Sequence, residues 1–381
     1  MKQFSDFPRV SLGILPTPLY RLPNISEAMG KNIYIKRDDM TGVALGGNKV
    51  RKLEFLIADA MAQGCDYMLT TGGAQSNHAM LTAACCDRLG LGSVLVLKKR
   101  GVWQKLGNQI INDLLGADVR FVDTDDYADV YAEMERICGE LRAKGHKPYC
   151  VPVGGSVPIG SLGYVNAARE AIEQGAALGV RFDDIICCTG SGGTHAGMDL
   201  GARIYSPKTR VTGIAVDDER FRPIVRDLVN ETSKLLEAGI HVEESDINVF
   251  ENFGAGYAIP SSSGVAAMRM MASKEGIIID PVYTGKTFAG LIKLNQQGYF
   301  DGRDNILFLH SGGAGGLFAI DKRSAFSKVQ KGRLEPSFLY AVSYNSFFVC
   351  LYTSPEPRVM TTSPGAAWAS SHLRISSKVP R

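Results

Sequence analysis

Short apolar runs alternate with amphipathic stretches along most of this 381-residue chain. Residues Asn32 to Arg37 are typical of a buried strand, and Val50 to Met61 follow with apolar residues at helical spacing. The alternation continues to a last predicted strand at Ile306 to His310. Repeated strand–helix units need parallel strands whose connecting helices cover both faces of a sheet. The sequence therefore predicts an α/β protein with open, mostly parallel, twisted sheets.

Composition and charge narrow the classes of function. Hydrophobic residues make up 45% of the chain and charged residues 21%, which is typical of a globular protein. The net charge of +3 favours neither a nucleic-acid nor a membrane partner, and no apolar run approaches the roughly 20 residues of a membrane helix. The first residues show no secretory signal, so we expect a cytoplasmic protein whose eight cysteines are buried, reduced thiols.

The basic excess lies near the C-terminus. Residues 322–381 contain nine lysines and arginines against two acidic residues, a local net charge of +7, which leaves −4 for the preceding body. The strand–helix alternation also stops at Lys322, and the segment is rich in Ser, Pro and aromatic residues. We therefore expect residues 322–381 to be a poorly ordered tail.

Two glycine-rich segments carry the strongest chemical signal. Gly46 to Lys49 places a lysine at the start of a predicted helix, where the helix dipole disfavours a cation and lowers its pKa. Thr189 to Thr194 is a turn between a strand and a helix, where backbone N–H groups can hold a phosphate. A lysine able to form a Schiff base, together with a phosphate site, points to pyridoxal phosphate (PLP).

Each of these segments also has a structural interpretation. Lys49 is equally well explained as a solvated lysine in a basic first turn. The second segment competes with a dinucleotide site, but the third glycine of that motif falls on His195, and Asp217 is the nearest candidate for its acidic residue. Ser76 and Asn77 follow a strand-end turn, where they either cap a helix or hold a substrate carboxylate and a ring hydroxyl.

Aromatic residues in loops are further candidates. Tyr257 and Tyr283 lie in glycine-containing segments, although loop tyrosines are more often core residues with one satisfied hydroxyl. His78 and His195 lack a second set of metal-ligating residues at matching spacing. We therefore interpret both histidines as satisfied or site-lining rings, and we expect no metal.

Taken together, the chain resembles the fold-type II PLP enzymes, specifically the family of D-cysteine desulfhydrase and 1-aminocyclopropane-1-carboxylate (ACC) deaminase. The resemblance runs from about Leu15 to Asp321. It implies two sheets arranged as in the tryptophan synthase β-like fold. The motifs that carry it are Lys36 to Asp39, Gly46 to Glu54, Gln75 to His78, Val153 to Ser156, Thr189 to Gly197, Asp280 to Lys286 and Leu309 to Gly313.

The resemblance also implies a role for each candidate residue. Lys49 would carry PLP as a Schiff base, Ser76 would hold the substrate carboxylate, and Asn77, with Asn48 nearby, would contact the ring hydroxyl. The remaining roles follow the same family pattern: Gly190, Ser191, Gly192, Gly193 and Thr194 cradle the phosphate, Tyr257 and Tyr283 flank the substrate, and Thr284 and Ser311 present hydroxyls to the pyridine nitrogen.

The residues Thr284 and Ser311 bear on the substrate. Deaminase members of the family carry Glu and Leu at these positions, and a carboxylate keeps the pyridine nitrogen protonated, as opening of a cyclopropane needs. A hydroxyl leaves a weaker electron sink, which suffices when a good leaving group departs. We predict β-elimination of D-cysteine to pyruvate, ammonia and hydrogen sulfide. ACC deamination, L-cysteate sulfo-lyase activity, and a non-enzymatic scaffold or sensor are the alternatives.

The length of the chain predicts more than one domain, because a single hydrophobic core stops growing at roughly 250–300 residues. We expect residues 1–47 and 155–321 to form a large PLP-binding domain and residues 48–154 a small domain. The expected ligand is a small amino-acid substrate, and we expect the protein to be a homodimer.

Overall fold

Two β-sheets organise the chain in the computed structural model, which describes residues 1–99, 103–252, 254 and 256–319. The strands of this part are β1 (Leu19–Arg21), β2 (Asn32–Arg37), β3 (Tyr67–Gly73), β4 (Gly92–Lys98), β5 (Asp118–Val122), β6 (Pro148–Val151), β7 (Asp184–Thr189), β8 (Arg210–Ala215), β9 (Asn248–Glu251) and β10 (Asn305–His310). One sheet has the order β1-β2-β10-β7-β8-β9 and the other β5-β4-β3-β6.

Helices connect the strands and cover the sheets. They are α1 (Pro23–Met29), α2 (Lys49–Ala62), α3 (Asn77–Leu89), α4 (Asn108–Leu114), α5 (Tyr127–Ala143), α6 (Pro158–Ala177), α7 (Gly193–Tyr205), α8 (Phe221–Leu236), α9 (Ser262–Glu275), α10 (Thr284–Gln296) and α11 (Ala314–Leu317). The paired strands run parallel, apart from the antiparallel pair β1–β2. The predicted α/β class with mostly parallel sheets is therefore confirmed.

The central strand of the six-stranded sheet shows why its sequence is a continuous apolar run. The residues Ile306 to Leu309 of β10 are almost fully buried, and alternate side chains enter separate clusters on the two faces. On one face Phe308 contacts Phe288 with ring centroids 5.4 Å apart. On the other face, Tyr34 of the neighbouring strand contacts Phe182 at 5.3 Å. Both faces are dry, so the strand carries no polar alternation.

A buried ionic network joins α2 to the strand β2 and to α6. The Arg51 guanidinium donates to both carboxylate oxygens of Asp38, at 2.8 and 2.9 Å, and to both of Glu170, at 2.9 and 2.8 Å. Tyr164 donates to Asp38 at 2.6 Å, and Lys36 donates to Glu170 at 2.5 Å. Burial alone would raise the pKa of Asp38, but the charge and hydrogen bonds of Arg51 hold it below its ordinary value.

The cysteines differ from expectation at two positions. Seven of them lie in the described residues, and none of these forms a disulfide. Cys150 is exposed and Cys188 is half-buried, so the expectation of buried thiols is wrong there. Cys150 lies on β6, an edge strand of the four-stranded sheet that pairs only with β3, and Cys188 lies near the end of β7, at a cavity.

Other expectations concern the organisation of the whole chain. The expected tail, residues 322–381, lies outside the described residues. The six-stranded sheet draws on residues 19–37 and 184–310, and the four-stranded sheet on residues 67–151. The domain boundaries at 47/48 and 154/155 stay a prediction. In the described part, no helix has both the length and the apolar character needed to cross a membrane.

The ionic network yields a prediction about stability. Replacing Arg51 by Met should lower the free energy of unfolding by about 3–5 kcal/mol, because Asp38 and Glu170 lose their countercharge inside the protein. Urea denaturation would measure the change. The network's contribution should be present at neutral pH and be lost as the pH falls through the lowered pKa of Asp38.

A surface ion pair supplies the matched control for this prediction. Arg120 contacts Asp118 at 2.6 Å, with roughly half of each side chain exposed. Arg120→Met should therefore cost less than about 1 kcal/mol. Equal losses in the two variants would contradict the role assigned to the buried network.

Candidate active site

A cavity of about 540 Å³ opens at the carboxyl ends of strands from both sheets. Ligands collect at this edge in parallel sheets, because the turns after the strands and the N-termini of the following helices meet there. The cavity brings together most of the predicted site residues: Asn48, Lys49, Ser76, Asn77, Gly190, Ser191, Gly192, Thr194, Tyr257, Tyr283 and Ser311. Gly193 and Thr284 do not belong to its lining.

Lys49 is the first residue of α2, as its position after two glycines predicts. Both glycines have positive φ, and a Cβ at Gly46 would collide with the backbone of Asp39, so only glycine lets the chain turn here. Desolvation lowers the pKa of Lys49 to about 8. A useful fraction of its amine is therefore unprotonated near neutral pH, as a nucleophilic amine requires.

The N-terminus of α3 provides an anion site. Ser76 is the N-cap, and its hydroxyl accepts a hydrogen bond from the Ala79 N–H at 3.2 Å while keeping its own O–H as a donor. The N–H groups of Asn77 and His78 come first in the helix, where no intrahelical acceptor exists. The Asn77 carboxamide oxygen accepts from Asn108 at 2.7 Å, which orients its NH₂ group as the donor. The capping and ligand-binding interpretations thus apply to the same residues.

The turn between β7 and α7 provides a second anion site. Gly192 has φ +85° and is the N-cap of α7, so the first N–H groups of this helix face the turn. A Cβ on Gly193 would lie 2.6 Å from Lys52 Nζ and 2.8 Å from Ser156 Oγ. The Gly193 N–H donates to Ser156 Oγ at 3.1 Å, and Ser156 donates to Ser191 Oγ at 2.9 Å. Backbone and hydroxyl donors therefore converge on a small volume.

Lys52 is a functional candidate that the sequence analysis missed. Its side chain is fully buried, and Nζ donates to the Gly154 carbonyl at 3.0 Å and to Ser156 Oγ at 3.2 Å. Burial, and then the charge of Lys49, lowers its pKa well below the ordinary lysine value. A bound phosphate would supply the missing countercharge. Its position three residues after Lys49 could have indicated this role, because residues three apart lie on the same face of a helix.

His78 lines the cavity as a neutral ring. Its Nε2 lies 2.8 Å from Thr70 Oγ1, while its buried Nδ1 has no hydrogen-bond partner among the described residues. Burial lowers its pKa well below the ordinary histidine value, followed by the charges of Lys49 and Lys52. Across the described part of the chain, no group of three His, Cys, Asp or Glu side chains is placed to hold a metal ion.

Tyr257 and Tyr283 form a pair at the cavity. Their hydroxyls hydrogen-bond to each other, and their rings meet edge to face with centroids 6.0 Å apart. Burial raises the pKa of Tyr257 to about 12 and that of Tyr283 still further, so both hydroxyls stay protonated at neutral pH. Lys286 donates to the Gly256 carbonyl at 2.7 Å and anchors the segment that carries Tyr257.

Thr284 is turned away from the cavity, and its contact with the pyridine nitrogen stays a prediction. Its hydroxyl donates to the Asp280 carboxylate at 2.6 Å and accepts from the Asp280 N–H at 2.8 Å, so it does not face the cavity. The reason is helix capping, since the same carboxylate accepts the N–H groups of Val282, Tyr283 and Thr284 at the start of α10. Of the two predicted hydroxyls, only that of Ser311 lines the cavity.

Charged residues at the cavity form another group, of which the sequence analysis named only Asp217, and that as part of a dinucleotide motif. Lys98 lies at the end of β4, with its Nζ 3.5 Å from the ring centroid of Tyr127. The acidic lining residues lie on α8 or just before it, and they are Asp217, Glu219, Asp227 and Glu231. Their sequence positions carry no local motif, and only the packing of α8 brings them to the cavity.

Comparisons with known proteins agree with this site. Residues 10–312 match the family described as "Pyridoxal-phosphate dependent enzyme". The D-cysteine desulfhydrase of Yersinia enterocolitica is 41% identical over 325 residues, which cover 83% of this chain and 97% of that protein. A Pyrococcus abyssi protein named "Putative 1-aminocyclopropane-1-carboxylate deaminase" is 40% identical over 316 residues, or 82% and 94% of the two chains.

Solved structures support the same assignment. The crystal structure of an ACC deaminase homologue has a TM-score of 0.77 and 40% identity, covering 82% of this chain and 94% of that one. A hydrogen sulfide-producing enzyme from Fusobacterium nucleatum, at 18% identity and a TM-score of 0.57 over 79% of this chain and 96% of that one, shares the fold. The chain therefore belongs to the family of PLP-dependent enzymes, and PLP is its cofactor. Within that family, its relatives include proteins named D-cysteine desulfhydrase and ACC deaminase.

The residues of the cavity fit this cofactor. Lys49 supplies the amine for a Schiff base, and Lys52, with the N-terminus of α7, supplies positive charge for a phosphate. Gly193 leaves space that any side chain would fill. The unpartnered Nδ1 of His78 is a further polar atom at the cavity. This donor set matches an aldehyde with a phosphate arm.

Gly193 gives a direct test of the phosphate site. Gly193→Val should raise the dissociation constant of PLP at least tenfold, roughly, because its side chain would occupy the space beside Lys52 and Ser156. Equilibrium dialysis of the apo-protein against PLP would measure it. Gly139→Val on the exposed face of α5, where a Cβ meets nothing within 4 Å, is the matched control. Equal affinities in two folded variants would place the phosphate elsewhere.

Proposed function

We propose that this protein catalyses the PLP-dependent β-elimination of D-cysteine to pyruvate, ammonia and hydrogen sulfide. The observation that carries the proposal is the cavity lining, in which Lys49 and the N-terminus of α3 accompany a hydroxyl at Ser311. Neither Thr284 nor Ser311 is the carboxylate or apolar residue expected of the deaminase members. The relatives named D-cysteine desulfhydrase, at 38–41% identity, support the same reaction class.

The Ser76 hydroxyl, the first N–H groups of α3 and the Lys49 amine would act on the substrate. Bound PLP supplies an electron sink for negative charge at the substrate Cα. The Ser76 hydroxyl and the first N–H groups of α3 hold the substrate carboxylate, because the helix N-terminus favours an anion. The unprotonated Nζ of Lys49 accepts the proton from Cα, and its lowered pKa suits this role.

The tyrosine pair would act on the leaving group. Tyr257 and Tyr283 share a hydrogen bond and remain protonated, so one hydroxyl can donate to the other, which in turn donates a hydrogen bond to the departing sulfur. The sulfur keeps its own proton and leaves as hydrosulfide. The attachment of Lys286 to Gly256 keeps Tyr257 in place. Both rings are partly buried, which limits the access of water to the leaving group.

The charge of the cavity favours a substrate with one carboxylate. The side chains of Asp217, Glu219, Asp227 and Glu231 line it, and a second anionic group on the substrate would be repelled by them. This argument supports D-cysteine over L-cysteate, whose sulfonate is a permanent anion. Ring-opening deamination remains the second candidate, because relatives at 40–42% identity carry the ACC deaminase name.

A product assay distinguishes these reactions. The purified holoenzyme is incubated separately with D-cysteine, L-cysteine, L-cysteate and ACC, and sulfide, sulfite, pyruvate and 2-oxobutyrate are measured. Sulfide and pyruvate should form fastest from D-cysteine. Faster release of 2-oxobutyrate from ACC, or of sulfite from L-cysteate, would overturn the substrate assignment. No turnover of any of the four would favour a scaffold or sensor.

Two statements about the protein in the cell accompany this proposal. We propose that it acts in the cytoplasm, where reduced thiols persist, and that it assembles as a homodimer. Fractionation and analytical ultracentrifugation test them separately from the reaction.

Lys49 should be indispensable for the reaction. Lys49→Ala should reduce turnover at least a thousandfold, roughly, because the amine is both the attachment point and the base. Borohydride reduction of the wild-type holoenzyme, followed by peptide mapping, should label Lys49. Lys208→Ala, which changes an exposed lysine in a turn, should leave turnover and labelling unchanged. Near-normal turnover of Lys49→Ala would remove the basis of the proposed mechanism.

The lowered pKa of Lys49 also predicts a pH dependence. The rate at which the apo-protein binds PLP covalently should rise with pH and level off above about 8, because only the unprotonated amine reacts. Stopped-flow absorbance would follow the reaction. Free Nα-acetyl-lysine, with an ordinary amine, should keep gaining rate up to about pH 10. The same profile for both amines would contradict the desolvation of Lys49.

A further inference from the structure

Two cysteines outside the cavity lie unusually close together. Cys138 on α5 and Cys150 on β6 have their Sγ atoms 2.9 Å apart. This distance lies between a disulfide bond of about 2.05 Å and an ordinary nonbonded contact. The two side chains therefore meet at the boundary between helix and sheet. Among the cysteines of the described residues, no other pair is joined by a hydrogen bond.

The two sulfurs differ in access. Cys138 is fully buried against the four-stranded sheet, in a cluster that includes Leu69 and Val94. Cys150 is exposed, because β6 is the edge strand of that sheet. Desolvation and the hydrogen bond with Cys138 raise the pKa of Cys150 to about 12, so little of its thiol is ionised at neutral pH and its reaction is slow. A reagent in solution can still reach Cys150 first, and Cys138 is placed to resolve the product. This asymmetry is typical of an attacking and a resolving thiol.

Both elements also reach the cavity. The strand β6 ends at Val151 and leads directly into Pro152 to Gly154, which line it. The helix α5 carries Tyr127 and Tyr131 into the same lining. The Val153 N–H and the Tyr131 hydroxyl lie 3.4 Å apart, the long limit of a hydrogen bond. A covalent bond between Cys138 and Cys150 would add a stronger tie between the two elements than this contact.

We propose that Cys138 and Cys150 are an oxidisable dithiol whose disulfide fastens α5 to β6 at the wall of the cavity. The oxidant is a small disulfide of the oxidised-glutathione class. The Cys150 thiolate attacks one of its sulfurs and releases one glutathione thiolate. The Cys138 thiolate then attacks Cys150 Sγ and releases the second. Two electrons pass to the reagent, and the two thiol protons end on the two glutathione thiolates.

Fastening the helix changes the motion of the cavity wall. The disulfide closes the segment 138–150, which removes conformations in which α5 separates from the sheet. Amide hydrogens of α5 exchange through such openings, so their exchange should slow when the bond forms. The effect depends on neither the substrate nor turnover, and it stands apart from the proposed reaction.

The full-length holoenzyme provides the test. It is incubated with oxidised glutathione, alkylated under denaturing conditions and mapped by mass spectrometry. The expected result is a peptide pair joined through Cys138 and Cys150, with a mass lower by two hydrogen atoms and two fewer alkylatable thiols. Hydrogen exchange of residues 127–143 should slow at least threefold, roughly, and recover with dithiothreitol.

Two variants separate the disulfide from other effects of the oxidant. Cys150→Ser should give no cross-link and no change in exchange. Cys65→Ser, which removes a buried thiol with no sulfur partner among the described residues, should keep both. A stable glutathione adduct on Cys150, or a bond from it to any other cysteine, would overturn the dithiol. A Cys138–Cys150 bond without slower exchange in α5 would overturn the fastening.

Discussion

The site depends on one constraint, which is that α2 is held in a fixed orientation about its own axis. Each residue advances a helix by about 100°, so a turn of one residue would carry Lys49 out of the cavity and Lys52 away from Gly154 and Ser156. Arg51 prevents this movement, because its guanidinium is held by Asp38, directly after β2, and by Glu170 on α6. The ionic network therefore fixes the direction of two catalytic or binding lysines without touching the substrate.

Close helix packing supports the same constraint. A Cβ on Gly163 of α6 would lie 2.6 Å from the carbonyl carbon of Arg51 and 3.0 Å from the Lys52 nitrogen. The backbones of α2 and α6 thus approach as closely as glycine allows. Since α6 also carries Glu170, one helix supplies both the contact surface and a countercharge. Packing and electrostatics select the same orientation of α2.

Positive charge is concentrated around Lys49 and Lys52 before any ligand arrives, whereas the acidic side chains of the cavity lie on α8 or just before it. Lys49 and Lys52 lie close enough for the charge of Lys49 to lower the pKa of Lys52, and burial lowers the pKa of both. Two helix N-termini, of α3 and α7, point their first N–H groups at the same cavity. A cofactor with an aldehyde and a phosphate compensates for the burial of both lysines, because its aldehyde reacts with the Lys49 amine and its phosphate pairs with Lys52. The same groups therefore favour the binding of the cofactor and keep the Lys49 amine reactive.

Most of the elements were predictable, since their signals are local. The helix α3, Asn77–Leu89, follows the turn that Ser76 was predicted to cap. The helix α7 begins at Gly193 instead of His195, because glycines that suggest a turn also form its first residue. The strand β9 was missed, since a short, half-buried edge strand has neither an apolar run nor strict alternation. Lys52 was missed although its spacing from Lys49 placed it on the same face.

What the sequence by itself determined is the class of protein: parallel α/β sheets, a lysine at the start of one helix and a glycine turn at the start of another. These features depend on neighbours in the chain. Only the tertiary structure decided which polar groups face the cavity. Asn48 donates to Thr194, 146 residues further along the chain, and Cys138 meets Cys150 because α5 packs against β6. Such pairings depend on packing between distant segments, which no local pattern specifies.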